Sequence, residues 1–386
     1  MPEPSVPPND PVMQQIRDLT GARARLVWVQ DTGDATDYLA KGTDLRLMGL
    51  DTDDGHGERM ILDGPRNFAK PFFTADGRHI IFSDRQTQTC HLVDWEGREI
   101  RDLGPGFALT TWLDPRTGRE WIYLATDKID DRRTLPSHAA IYRIPLHIAP
   151  GPWQRLRQRI RPPAPELVWN QTKVSEDTFQ ISAGGRYASS VFPWPEAGML
   201  DLETRRWTRL GRGCWVALSP DNQHLFWILD GPHRNVQMFD TNTGTNWMVR
   251  VNDAPGLGNY EVYHPRWSNH SRIFAISGPY KIGEGSYRLQ GGGADVEIHL
   301  GRFAPDYRTV EAWSRATYNN NADFFPDVWV APTDTPSDVE QNIAQPGAPA
   351  IPAWPLEHTA PVYLWENADS QNEVAASDGN FRICRP

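Results

Sequence analysis

A pattern of short strands and tight turns recurs along this chain, and it constrains the fold more than any other feature. Residues 70–103 (KPFFTADGRHIIFSDRQTQTCHLVDWEGREIRDL) contain four short strand candidates, separated by an Asp-Gly turn and later by an Asp-Trp-Glu-Gly turn. Short strands joined by such turns are typical of consecutive antiparallel hairpins. This stretch therefore predicts a four-stranded antiparallel meander.

The same order of strands and turns returns in at least four further places. The copies lie at residues 110–126 with 139–146, 179–192 with 198–210, 214–251, and 263–278 with 294–313. A repeat of roughly 40 to 50 residues with four strands per unit is the signature of a β-propeller. Because one blade cannot bury both of its faces, the copies are expected to stack into a ring.

The two ends of the chain supply one more blade between them. Residues 25–30, 45–51 and 58–62 provide second, third and fourth strands without a first, and residues 322–332 provide a first strand with no successors. Joining them closes the ring. We therefore predict an all-β, six-bladed propeller of four-stranded antiparallel blades, with seven blades as the alternative.

Three turns carry a more specific resemblance. Thr74-Ala75-Asp76-Gly77-Arg78, Ser219-Pro220-Asp221-Asn222-Gln223 and, more loosely, Ser182-Ala183-Gly184-Gly185-Arg186 occupy equivalent places in their copies. These turns resemble those of the periplasmic TolB type of propeller repeat, over about residues 24–331. The resemblance implies the six-bladed fold and a periplasmic or secreted location. It implies little about activity, because such repeats serve enzymes, binders and scaffolds alike.

The chain then divides into four parts. We expect an N-terminal extension at 1–23, the propeller at 24–331, a Pro-rich linker or strap at 332–360, and a C-terminal strand segment at 361–386. The last segment is expected either to dock on the propeller or to begin a further domain.

Charge and composition exclude several classes of partner. With 39 Lys and Arg against 49 Asp and Glu, the net charge of −10 argues against nucleic acid as the main partner. No apolar run approaches the length of about 18 residues that a membrane span requires. No signal peptide is visible in the first residues. Cys90 and Cys214 fall in different copies, and we expect both to be free thiols.

Polar residues gather where each innermost strand begins, which in a propeller is the mouth of the central channel. Amides and cations in such a ring suit an acidic or neutral saccharide, although the same side chains would also serve to hold trapped water. The predicted ligand-binding residues are Asn67, Lys70, Gln180, Asn319, Asn320, Asn321 and Asp323.

The segment YHPRWS places Tyr263, His264 and Arg266 together at one blade start. It resembles the His-Pro blade start of oligogalacturonate lyases, which hold a metal with channel histidines, but the other blade starts here lack histidine. The resemblance implies His264 or Tyr263 as the base of a β-elimination, with Arg266 or Lys70 pairing a uronate carboxylate. We expect Arg266 to be dispensable for folding. The alternative is a structural histidine at a blade end.

The acidic loop at residues 31–37 is the one candidate metal site. Asp31, Asp34 and Asp37 could supply oxygen ligands to Ca²⁺ on a flexible loop. Their spacing does not match the EF-hand pattern, and an ordinary solvated acidic turn is the alternative. No other cofactor is predicted.

Three functions remain open at this point. The first is an extracytoplasmic binding propeller that recognises a glycan or an envelope protein at its channel face. The second is a carbohydrate-active enzyme, most plausibly a polysaccharide (uronate) lyase. The third is a scaffold subunit of a larger assembly. Catalysis requires His264, Tyr263 and a cation to converge on one point, whereas binding requires only a suitable mouth.

Overall fold

The computed structural model describes residues 11–125, 137–138, 140–146, 164–172, 174–175, 179–192, 195–281 and 293–332. The first ten residues, and from residue 333 onward the expected strap and C-terminal strand segment, lie outside this range.

The described residues form a ring of short strands preceded by one helix. The helix is α1 (Pro11–Thr20), and a 3-10 turn spans Gly293–Asp295. The strands are β1 (Ala24–Asp31), β2 (Leu45–Asp51), β3 (Arg59–Leu62), β4 (Ala69–Phe73), β5 (His79–Asp84), β6 (Thr89–Asp94), β7 (Ile100–Pro105), β8 (Phe107–Leu113), β9 (Glu120–Ala125), β10 (Ser137–His138), β11 (Ile141–Pro145), β12 (Glu166–Trp169), β13 (Val174–Ser175), β14 (Gln180–Ile181), β15 (Tyr187–Val191), β16 (Glu196–Asp201), β17 (Arg206–Arg212), β18 (Cys214–Leu218), β19 (Leu225–Leu229), β20 (Asn235–Asp240), β21 (Thr245–Arg250), β22 (Glu261–Trp267), β23 (Ile273–Tyr280), β24 (Glu297–Phe303), β25 (Val310–Arg315) and β26 (Ala322–Val330).

Six four-stranded antiparallel sheets make the six blades. Blade 1 has the order β26-β1-β2-β3, blade 2 β4-β5-β6-β7, and blade 3 β8-β9-β11-β12. Blades 4, 5 and 6 are β14-β15-β16-β17, β18-β19-β20-β21 and β22-β23-β24-β25, and β10 pairs with β13 in a small separate sheet. The six-bladed propeller predicted from the repeat is confirmed.

The closure of the ring by both ends of the repeat region is also confirmed. Strand β26 pairs antiparallel with β1 from Ala24↔Val330 to Asp31↔Ala322. Blade 1 therefore takes its innermost strand from the last copy and its outer three strands from the first, and no edge of β1 is left open.

Helix α1 seals the joint between the first and last blades. Ile16 and Leu19 are buried against Leu26 of β1, Leu300 of β24 and Val328 of β26. The apolar residues recur at helical spacing along one face of α1, which is why this face packs against the ring. The part of the N-terminal extension that is described is thus a helix docked on the propeller.

Candidate functional site

Four of the innermost strands share one irregularity at the same height in the channel. Lys70, Trp215, His264 and Phe325 have φ values of +49°, +48°, +51° and +51°. The register of each strand breaks at this point, as between Ala69 and Phe72 in β4. A residue with positive φ in such a bulge redirects its side chain out of the regular alternation. The ring thus presents four side chains toward its centre.

A small chamber lies between these bulges. Its volume is about 20 Å³, which is room for one or two water molecules. The residues that line it are Lys70, Gln180, Trp215, Val216, His264, Pro265, Arg266, Phe325 and Pro326. Four of the residues predicted from the sequence, Lys70, Gln180, His264 and Arg266, are therefore brought together. Trp215 and Phe325 belong to the same chamber and were not predicted.

A buried ion pair forms one wall of the chamber and bears on an expectation about Arg266. Its Nε atom lies 2.7 Å from Asp327 Oδ1, and the Phe73 amide donates to Asp327 Oδ2 at 2.8 Å. Burial raises the pKa of Asp327, and the charges of Arg266 and Lys70 oppose that rise. This ion pair weighs against the expectation that Arg266 is dispensable for folding, because removing Arg266 would leave the buried Asp327 carboxylate without its paired cation.

His264 is enclosed by aromatic rings. Its ring centroid lies 4.7 Å from that of Trp215 and 4.1 Å from that of Phe325, and its Nδ1 is 2.8 Å from Ser277 Oγ. Complete burial lowers the pKa of His264 well below its usual value, partly offset by a hydrogen bond with the Tyr38 backbone. The imidazole is therefore neutral at physiological pH.

Tyr263 does not line the chamber. It is 1 % exposed, and its ring packs against those of Tyr38, Trp215, His264 and Tyr280 at centroid distances of 4.7 to 5.9 Å. The predicted catalytic residues are thus divided. His264 and Arg266 line the chamber, whereas the Tyr263 ring packs against His264 outside it.

An open funnel leads to the chamber from the end of the channel where the innermost strands finish. Its volume is about 360 Å³, and Gln180 and Arg266 line both the funnel and the chamber. The funnel walls are largely apolar and aromatic. They include Phe72, Phe73, Trp112, Leu113, Ile181, Leu218, Pro220, Trp267, Val328 and Trp329.

Several polar groups at the funnel rim already have partners in neighbouring blades. Trp112 Nε1 donates to Ala183 O at 2.9 Å, and Trp329 Nε1 donates to Ala75 O at 3.0 Å. The Asn269 side chain both donates to and accepts from the Val330 backbone, at 2.9 and 2.7 Å. These bonds fix the rim and leave mainly apolar surface facing the funnel.

The acidic loop covers part of the opposite end of the channel. Its residue Tyr38 packs edge-on against Tyr263 and Tyr280, and Leu39 and Ala40 are buried. Asn67 holds the loop in place, since its side-chain amide donates to Ala40 O and Gly42 O, both at 2.7 Å. Asn67 is completely buried and acts in this anchor rather than in the chamber.

The three aspartates of this loop bond its own backbone. Asp31 accepts from the Gly33 and Asp37 amides, Asp34 from the Thr36 amide, and Asp37 from the amides at positions 41 and 42. Within the described ranges, no group of three or more His, Cys, Asp or Glu side chains is arranged to hold a metal ion. Calcium binding by Asp31, Asp34 and Asp37 stays a prediction.

The remaining predicted residues form a separate carboxylate cluster. The side-chain Nδ2 of Asn319 donates to Asp323 Oδ2 and to Glu58 Oε2, both at 2.8 Å. The backbone amide of Asn319 donates to Glu297 Oε1 at 3.2 Å. Asn321 donates its amide to Asn319 Oδ1 at 2.8 Å, and Asn320 is exposed. None of these residues lines the chamber or the funnel.

The two cysteines that were expected to be free thiols differ from each other. Cys90 is buried, and its thiol donates to Gly106 O at 3.0 Å. Cys214 forms a disulfide. The expectation of a free thiol at position 214 is therefore wrong.

Comparison with known proteins finds similarity of fold only. No family model and no curated protein matches the chain. TolB from Acinetobacter baumannii superposes with a TM-score of 0.49 at 15% identity, over 81% of this chain and 69% of that chain. A putative TolB from Agrobacterium tumefaciens gives 0.43 at 14% identity, over 81% and 99%. Both of these neighbours carry the name TolB, and the likeness concerns the fold alone. The six-blade assignment itself rests on the strand order above.

A propeller ring presents a concave surface at the end of its channel, and the fold alone does not decide what that surface does. Among the described residues, no helix is both long and apolar enough to cross a membrane.

Proposed function

We propose that this chain is an extracytoplasmic binding propeller that takes a segment of a protein partner into its funnel. The observation that carries the proposal is the open funnel of about 360 Å³ with its largely apolar walls. Ligand sites of this volume combine apolar walls with a few placed polar groups, and here those groups sit at the inner end, in the chamber.

A peptide segment fits these walls better than a saccharide. The indole N–H groups of Trp112 and Trp329 and the amide of Asn269 are occupied by bonds between blades. A sugar would bring many hydroxyl groups against walls whose exposed surface is largely apolar, at a cost for each group left unpaired. Apolar side chains of a peptide meet no such cost, and their burial is favourable.

The surroundings of His264 favour binding over elimination. The chamber beside it holds about 20 Å³, which is too small for a sugar ring, and aromatic rings enclose the imidazole. A general base must come within hydrogen-bond reach of the proton it removes. Tyr263, the second predicted base, faces away from this space.

The disulfide of Cys214 supports an extracytoplasmic location, periplasmic or secreted. Disulfides form and persist mainly in oxidising compartments, and they are rare in the cytosol. An envelope protein is therefore the class of partner that we propose.

The test compares peptides and glycans directly on the purified protein. We expect binding from a display library of short peptides with free C-termini, and no binding on an array of neutral and acidic glycans. Leu113→Asp should weaken peptide binding by about tenfold or more, because it places a carboxylate on the apolar rim. Leu113 is 47 % exposed, so the fold should tolerate the change.

Met248→Asp is the matched control, because Met248 is 52 % exposed and does not line the funnel. Equal binding by the wild type and Leu113→Asp would show that the funnel is not the site. Glycan binding without peptide binding would replace the protein partner with a saccharide. Binding to neither would leave only the scaffold role.

A further inference from the structure

We propose that the chamber at the inner end of the funnel is a carboxylate site, which reads the C-terminal carboxylate of the peptide held in the funnel. This inference rests on the proposed function, since it names the part of the partner that enters most deeply. Its basis is a small space at the inner end of the funnel with hydrogen-bonding groups that no described residue satisfies.

Among the buried side-chain atoms of the chamber lining that have no hydrogen-bond partner within the described residues are Trp215 Nε1 and Gln180 Oε1. Trp215 is 4 % exposed, and its indole Nε1–H has no hydrogen-bond acceptor among the described residues. Gln180 Oε1 is also buried without a partner, and its amide could equally turn its NH₂ group toward the same space. A buried polar atom without a partner is costly, so both atoms would gain from a hydrogen-bonding group bound in the chamber.

The charges of the described residues around the chamber favour an anionic guest. Lys70 and Arg266 are cations and line the chamber, and the charges of both act on the Asp327 carboxylate. His264 is neutral and adds no charge. A carboxylate would balance the remaining positive charge and would accept from the Trp215 N–H.

The path to the chamber selects the end of a chain. Gln180 and Arg266 line both spaces, so a segment in the funnel points its tip at the chamber. The chamber holds only about 20 Å³, which admits a terminal group but no continuing backbone. In a peptide the terminal group that is anionic is the C-terminal carboxylate.

The experiment uses two libraries of the same randomised hexapeptides, one with free C-termini and one amidated. We expect the acid library to bind at least about tenfold more tightly, the effect of about one charge-assisted hydrogen bond. Lys70→Met should remove this preference by removing the charge. Trp215→Phe should reduce it by removing one donor without changing charge. Lys281→Met is the control, because Lys281 lies outside the chamber and pairs with Asp295.

Formate and acetate distinguish a chain end from a free small acid. If either competes at micromolar concentration, the chamber binds a carboxylate, but its ligand is a free small acid and not the end of a peptide.

Equal binding of both libraries to the wild type would overturn the carboxylate site and leave the funnel function standing. If neither library binds, the proposed function fails, and crystals soaked in sodium bromide decide the chamber alone. An anomalous peak beside Trp215 that is lost in Lys70→Met then supports an anion site, and its absence in the wild type refutes it.

Discussion

Asp323 is a carboxyl that the ring buries at its closing strand. Its oxygens accept from Gln30 Nε2 at 3.1 Å and Asn319 Nδ2 at 2.8 Å, and it is 0 % exposed. Burial, together with the neighbouring Glu297 carboxylate, raises the pKa of Asp323 to about 8. The protonated form is therefore the stable one in the folded protein at neutral pH.

The stability of the protein should consequently fall as the pH rises toward 8. A folded-state pKa above the unfolded value favours folding fully only below the unfolded pKa, and the advantage is lost as pH rises through the folded pKa. Asp323→Asn cannot ionise. Between about pH 5 and pH 9 the melting temperature of the wild type should fall relative to that of this variant.

Asp34→Asn serves as the control for this experiment. Hydrogen bonds from Thr36 lower the pKa of Asp34, so its ionisation should change stability only below about pH 4. A constant difference in melting temperature between wild type and Asp323→Asn from pH 5 to pH 9 would contradict the assignment.

At the scale of single residues, the sequence predicted four of the nine residues that line the chamber. Lys70, Gln180, His264 and Arg266 were found because polar residues stand at equivalent places in the copies. Trp215 and Phe325 of the chamber, and Asp327 beside it, were not predicted because apolar and isolated acidic residues look like core positions in a strand. A usable signal was present: Lys70, His264 and Phe325 each precede a proline, and proline fits a bulge where no amide is needed for pairing.

At the scale of elements, two tryptophans join neighbouring blades by the same contact. Trp329 of β26 lies over the turn at Gly77 in blade 2, and Trp112 of β8 lies over the turn at Gly185 in blade 4. Each indole also donates to a carbonyl of that turn. A Cβ atom at Gly185 would come within 2.2 Å of the Trp112 ring, and φ at Gly185 is +75°. Only glycine allows this approach.

Gly185→Ala should therefore destabilise the protein more than an ordinary turn substitution. Gly118→Ala is the matched control, since Gly118 has φ of +64° but open space around its Cβ position. Both variants lose stability because alanine is strained at a positive φ, whereas only Gly185→Ala must also displace an indole. We expect an extra loss of about 1 to 3 kcal/mol in the free energy of unfolding, measured in urea. Equal losses in the two variants would argue against the contact.

Element prediction succeeded for strands and failed for the N-terminal helix. The strands were recognisable because turn residues punctuate them at regular intervals. Helix α1 was assigned only to an extension, although Met13, Ile16 and Leu19 recur at helical spacing. A single helix of ten residues has no repeat to support it, and its burial depends on a surface formed only when the ring closes.

At the scale of the whole molecule, the number of blades and their closure followed from the repeat alone. The copies could be counted, and the leftover strand at one end matched the strand missing at the other. The open funnel could not be predicted in the same way. The funnel forms where the ends of six innermost strands come together, and these strands are far apart in the sequence.

Deletion of residues 322–386 should leave β1 as an exposed edge and make the protein prone to aggregate. A synthetic peptide of residues 320–332, added in trans, should restore the monomer by supplying β26, and a scrambled peptide should not. Light scattering and the melting temperature report the result. A truncated protein that stays monomeric with an unchanged melting temperature would mean that β26 does not close the ring.

The pairing of Ala24 with Val330 also has a consequence for biosynthesis. About 300 residues separate the two strands, which takes a ribosome roughly 15 to 60 s at usual rates of elongation. During that interval β1 has no inner neighbour, and blades 2 to 6 can form only as an open arc. Closure of such a distant contact is intrinsically slow. The nascent chain therefore has a long window in which a chaperone, rather than its own last strand, must protect the first blade.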